Sequence, residues 1–281
     1  MVMFPHTAAT PPLASHPLQR FAGSPPCPVS RTELRPGGLP SGAAGAYTAG
    51  LILGGRHTQM RFVILTALAL AATFGGAAAA EPLSGRLAAI PYPLTLSKAS
   101  SGAEVTRDAV LLTSLKGSDL YSPAKGPRAD TAPRVTFAPK GDFIFSARVD
   151  RPHAADYEGG ALVVYAGAER WVKLLFERIN GTTNAVTSAS AAPVSDGAYH
   201  VRVAPAMPAM WLKVARSGGS ILLYTSADGA DWQILRDVPL DEAIPVSVGF
   251  ASQSPLGERY EAAFNDIRFD ARKVQDYWQG R

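Results

Sequence analysis

From residue 108 onward the chain alternates short runs of β-branched, aromatic and aliphatic residues with Gly, Pro, Asn and Asp, at intervals of about ten residues. Strands are expected over residues 108–115, 142–149, 160–165, 170–177, 198–203, 211–216, 220–226, 231–236, 245–251 and 260–269. So many short strands predict two stacked sheets. Asn180-Gly181, Asp228-Gly229 and the run Ser217-Gly218-Gly219-Ser220 supply residues that tolerate positive φ, so three hairpins and antiparallel neighbours are predicted there. Pro205, Pro208, Pro239 and Pro245 interrupt any helical period, and helix is expected to be minor.

Alternation assigns the faces. Val172, Leu174 and Phe176 belong to a core, which turns Trp171, Lys173 and Glu177 the other way. Trp211 and Lys213 stand opposite Leu212 and Val214 in the same manner, and Tyr224 stands opposite Leu223 and Thr225. The spacing of three between Phe264 and Ile267 predicts a β-bulge in the last strand.

The first 80 residues differ in kind. Residues 60–80 open with a methionine and one arginine, continue through an apolar run and end in small residues, the layout of a secretory signal peptide cleaved before Glu81. A membrane anchor is the competing reading of the same run. Residues 1–59 are rich in Pro, Ala, Gly and Ser without apolar period, and are expected to be disordered and to precede the true initiator, Met60. The mature chain is read as an N-terminal segment (81–107), one domain (108–270) and a C-terminal tail (271–281), secreted or periplasmic and free of the membrane after cleavage.

Charge supports that division. The sequence carries 27 basic and 23 acidic residues. Five of the bases (Arg20, Arg31, Arg35, Arg56, Arg61) and one acid (Glu33) precede residue 81, leaving 22 of each in the body. The sequence pI of about 9.2 therefore belongs to the leader, and a neutral body gives no field for a nucleic-acid partner. The only cysteine, Cys27, lies in the leader, so thiolate catalysis and disulfides are excluded from the body. His153 and His200 lack metal-type spacing, and neither lies near a serine-nucleophile motif. No metal or cofactor is expected.

The ordered series Gly117-Ser118-Asp119-Leu120-Tyr121, Ala132-Pro133-Arg134, Gly141-Asp142-Phe143, Tyr157–Tyr165, Glu169–Leu174, Ser226–Trp232 and Val248–Pro255 resembles the family called regulation of enolase protein. The resemblance covers roughly residues 108–270. It implies a concanavalin A-like jelly roll with one concave sheet, among the lectins and glucanases. An exported chain would not meet a cytosolic glycolytic enzyme, so the role in that family's name is not carried over.

Sugar binding needs flat aromatic faces and convergent hydrogen-bonding groups. Trp171, Trp211 and Tyr224 for stacking, with Lys173, Glu177 and His200 for hydrogen bonding, have the right types and would form one patch on the concave sheet if their strands adjoin. Against this stands a plain sheet covering, with Lys173 and Glu177 as a cross-strand ion pair. Glycoside hydrolysis by Glu177 would need a second carboxyl group, such as Asp142, to converge on it. A structural or protein-interaction module is the third reading.

Three further features have local explanations. Ser226–Trp232 is similar to the Asp-box of sialidase propellers, but a single copy reads better as a hairpin turn over Trp232. Asp119, Asp130, Asp142 and Asp156 could supply oxygen ligands to calcium, yet follow no fixed spacing and read as turn or cap residues. Asn180-Gly181-Thr182 fits a glycosylation sequon and is read as a turn.

Overall fold

The computed structural model describes residues 80–98, 102–150 and 155–281, all within one compact unit. The leader and signal-peptide readings therefore fall outside the described residues, except at Ala80, and so does His153.

The fold is an all-β, two-sheet antiparallel jelly-roll sandwich, with no helix among the described residues. The eight-stranded sheet runs in the order β1 (Glu81–Pro82), β2 (Thr95–Ser97), β7 (Arg134–Phe137), β16 (Ser247–Gln253), β9 (Gly159–Tyr165), β10 (Trp171–Ile179), β11 (Thr183–Ala191) and β12 (Ser195–Val203). The seven-stranded sheet runs β15 (Gln233–Pro239), β14 (Ser220–Ser226), β13 (Ala209–Ser217), β8 (Phe143–Asp150), β17 (Arg259–Asp270), β4 (Val110–Leu115) and β3 (Ala103–Val105). A small hairpin of β5 (Leu120–Tyr121) and β6 (Ala129–Asp130) interrupts the passage from β4 to β7.

The core between the sheets follows the predicted parity. Val172, Leu174 and Phe176 of β10 meet Leu212 and Val214 of β13 in one apolar cluster. Phe137, Phe145, Phe250 and Phe264 form a chain of rings through it, with centroids 5.3, 5.2 and 4.9 Å apart. Burying such rings is the largest favourable contribution available to a chain without a disulfide.

The turns obey their residue chemistry. Asn180 and Gly181 take φ of 53° and 68° and join β10 to β11. Gly218 and Gly229 also adopt positive φ in the β13–β14 and β14–β15 hairpins. The β17–β8 register shifts between Asn265 and Arg268, where Asp266 has φ 46°, which is the expected bulge.

All ten expected strands occur, with ends moved by up to three residues. The short strands β1, β2, β3, β5, β6 and β7 and the long strand β11 fall outside the expected ranges. β11 reads Thr-Asn-Ala-Val-Thr-Ser-Ala-Ser-Ala and carries one large apolar side chain, Val186, so it lacks the bulky alternation that marks its neighbours.

Candidate functional site

The β5–β6 hairpin lies over the outer face of the eight-stranded sheet and is fixed at both ends. Ser118 and Ser254 form an isolated antiparallel bridge just past the end of β16, in which Ser254 N–H donates to Ser118 O and Ser254 O accepts from Gly117 N–H. On the other side, Ser195 at the start of β12 donates its backbone N–H to Ser122 O and accepts the Ser122 N–H at its Oγ. Leu120 then packs with Trp171, Leu175, Ala161, Val163 and Ala251 in a second apolar cluster, on the side of β10 away from the main core.

Beside this covered patch the same face opens into a cleft of about 340 Å³. Its floor is polar and buried. Lys173 donates to Gln253 Oε1 at 2.8 Å and to Asp119 Oδ1 at 3.2 Å. Gln253 Nε2 donates to Tyr157 O at 2.9 Å and lies 3.4 Å from Glu177 Oε2, while Thr187 donates its hydroxyl to Glu177 Oε1. The rim is aromatic: Tyr121, Tyr157 and Tyr199 line the cleft and are 45%, 43% and 69% exposed.

Sheet register explains the floor. Gln253, Gly159 and Glu177 are direct neighbours across β16, β9 and β10. A Cβ at Gly159 would come within 2.7 Å of Glu177 Cβ, so the absence of a side chain there lets Gln253 reach across to the carboxyl group. Lys173 stands in a row with Ala189 of β11 and Gly197 of β12, whose small size leaves the space above the ammonium group open.

Burial raises the pKa of Glu177 above its ordinary value, with Thr187 and Lys173 pulling it down and Asp119 pushing it up. Tyr199 is also raised, first by desolvation and then by Glu177, Tyr157 and Tyr121 nearby.

The six residues singled out from the sequence do not form one patch. Trp171, Lys173 and Glu177 do emerge from β10 on the side away from the sandwich interior, but Trp171 is 2% exposed beneath the hairpin and has no ring face free to stack. Trp211 and Tyr224 belong to β13 and β14 of the other sheet, so the expected adjacency fails. On that sheet the tail closes over Tyr224, whose hydroxyl donates to Tyr277 O at 2.8 Å. Trp211 donates to Asp266 Oδ2 at 2.7 Å and packs against the Gly229 turn. Lys213 donates to Gln279 O and Gly280 O at 2.9 and 3.0 Å and lies 3.8 Å over the Trp232 ring. Its pKa is lowered to about 8, first by burial and then by the charges of Arg281, Arg268 and Arg272. His200 meets Ser188 Oγ at 2.8 Å and lines a neighbouring depression with Tyr157, Asn180 and Arg202 rather than the cleft.

Parity could not find the tyrosines. Tyr121 lies in the two-residue strand β5, too short to show alternation, Tyr157 lies in the turn before β9, and the bulge between Val186 and Thr187 breaks the alternation that would place Tyr199. Tyr121, Tyr157 and Gln253 do occur in the family-like runs, which was the available signal.

The four aspartates have local partners. Asp130 accepts from Arg134 and Tyr165, Asp142 from Gly218 N and Asp156 from Gly181 N. Asp142 sits at the β13–β14 turn, away from Glu177, so it is not the converging acid; Asp119 is the other carboxylate lining the cleft. No cluster of three or more metal-type side chains occurs among the described residues. The run from Ser226 to Trp232 is a hairpin turn: Asp228 Oδ1 accepts from Ala230 N and Asp231 N, and Trp232 packs into the apolar cluster beneath the tail. No described helix is long and apolar enough to cross a membrane.

A crystal structure of a functionally unknown protein from Saccharomyces cerevisiae shares this fold, with a TM-score of 0.59 and 19% identity over 64% of this chain and 96% of that one. GH43B of a Bacteroides ovatus xyloglucan PUL aligns with a TM-score of 0.49 and 17% identity, over 63% of this chain and 36% of that one. LamAcat from Zobellia galactanivorans aligns with a TM-score of 0.39 and 10% identity, over 60% of this chain and 80% of that one. This chain thus spans little more than a third of the GH43B protein's length. No curated protein matches the sequence. A family model described as protein of unknown function (DUF1349) matches residues 97–272, well over half of the sequence, and the chain belongs to that family.

Proposed function

We propose that the chain is an exported saccharide-binding protein whose site is the cleft on the outer face of the eight-stranded sheet. One observation carries the reading: a buried floor of Lys173, Gln253 and Glu177 lies under three partly exposed tyrosine rings. A pyranose has apolar ring faces and hydroxyls that both donate and accept. Aromatic walls match the first, and a floor alternating ammonium, amide and carboxyl groups matches the second. Trp171 serves this site by supporting the hairpin rather than by touching ligand. Trp211, Tyr224 and His200 have no part in it.

Export rests on the signal-like pattern of residues 60–80, and N-terminal sequencing of protein recovered outside the cytoplasm tests it. The resemblance to the enolase-regulator family remains one of sequence motifs, and no action on enolase is proposed. A glycan array followed by titration calorimetry on the full chain is the direct test of the site. Binding weakened in Tyr199→Ala and lost in Lys173→Met supports it; no binding to any saccharide refutes it.

One observation favours a catalytic second reading. A carboxyl group whose pKa is raised by burial is what a general acid requires, and Glu177 shares the cleft with Asp119. Polysaccharide turnover that disappears in Glu177→Gln while binding persists would establish it.

A further inference from the structure

We propose that the cleft selects uncharged saccharides and rejects those bearing uronic acids, because its cation is already neutralised from within. The proposal rests on reading the cleft as a saccharide site and adds the class of ligand.

Lys173 is the one cation among the described residues lining the cleft, against two carboxyl groups, Asp119 and Glu177. Its ammonium group is buried and directed to Asp119 Oδ1 and Gln253 Oε1. With Glu177 protonated, the floor is a balanced lysine–aspartate pair; with Glu177 ionised, it is negative. In neither state does it carry a net positive charge. A sugar carboxylate entering the cleft would give up its water, find no free cation among the described residues that line it and face two acids. A neutral hydroxymethyl group at the same ring position avoids that penalty and can donate to Asp119 or Glu177, each of which has accepting capacity beyond the bonds described.

Asp119 is thus a specificity-determining residue. Its Oδ1 also accepts the Leu120 backbone N–H at 2.7 Å, a bond that asparagine can keep through its carbonyl oxygen. Asp119→Asn removes the internal counter-ion while leaving that acceptor, and Lys173 becomes available to an anionic ligand.

The experiment is calorimetry at neutral pH with the full chain on matched pairs: cellotetraose, mannotetraose and galactotetraose, each against its C6-oxidised uronate counterpart. In the wild type, every bound neutral sugar should exceed its uronate partner by at least tenfold. In Asp119→Asn the uronate should gain at least tenfold, and that gain should shrink as salt is raised. A uronate bound by the wild type within tenfold of its neutral partner, or more tightly, overturns the selectivity and leaves the site intact. A folded Asp119→Asn without the gain overturns the neutralisation. If that variant fails to fold, the wild-type pairs decide alone. No binding of any sugar to either protein overturns the site reading and this proposal together.

Discussion

Lys173 and Glu177 stand on the same face of β10 and both engage Gln253, the first at its amide oxygen at 2.8 Å and the second at its amide nitrogen at 3.4 Å. The amide thereby orders an acid and a base that do not form a direct pair. Gly159 makes the arrangement possible, because any side chain there would occupy the space that Gln253 crosses.

Tyr199 is the most exposed of the three rim tyrosines and rests on the cleft without supporting the core. Tyr199→Ala should weaken saccharide binding by roughly 5- to 30-fold, about 1–2 kcal/mol of lost ring contact, while leaving the melting temperature within a degree or two. Titration calorimetry alongside a thermal melt checks both halves, and unchanged affinity counts against the rim.

Glu177 gives a pH signature. Its pKa is raised above 4.5 in the folded chain, chiefly by burial, so the folded state keeps its proton to higher pH than the unfolded state does. Its contribution to stability therefore declines as pH rises from 4.5 through the raised value and is level above it, with a slope of at most about 1.4 kcal/mol per pH unit. Glu177→Gln removes the decline. Denaturant midpoints of wild type and variant should diverge across that window in the variant's favour, and parallel curves would contradict the burial argument.

Trp171 is a structural residue in this fold. Trp171→Ala empties the space beneath Leu120 and should cost about 3–5 kcal/mol, loosening the hairpin and saccharide binding with it. Trp171→Phe should cost much less, since the indole Nε1 is buried with no hydrogen-bond partner among the described residues and its removal relieves an unmet donor. Chemical denaturation separates the two; equal losses would mean that the nitrogen has an unseen role.

Deleting residues 271–281 should lower the melting temperature and increase binding of a hydrophobic dye, because Tyr224, Trp232 and Lys213 lose their cover. Saccharide affinity of the folded fraction should not change, since that face belongs to the other sheet. A truncated chain that binds sugar more weakly while fully folded would argue for coupling through the sandwich.

The sandwich was legible wherever bulky side chains alternate: β10 and β13 declare their faces, and the Asn180-Gly181 and Asp228-Gly229 turns declare their hairpins. The pairing of distant strands was not, since parity says which way Trp171 and Trp211 point but not on which sheet they lie. Of the cleft's floor and rim, Lys173 and Glu177 could be read from one strand. The remainder comes from Asp119 and Tyr121 on a hairpin, Tyr157 before β9 and Gln253 at the end of β16, brought together by long connections. Nothing local in the sequence marks that convergence.

Small residues on β11 and β12 divide the labour of recognition between strands. Depth above the ammonium group is governed by Ala189 and Gly197, whereas the hydrogen-bonding identities reside on β10, β16 and the hairpin. A relative that replaces Ala189 with leucine would shorten the chamber by a ring's thickness and keep its polar alphabet, so ligand size and ligand chemistry can diverge independently within one sandwich.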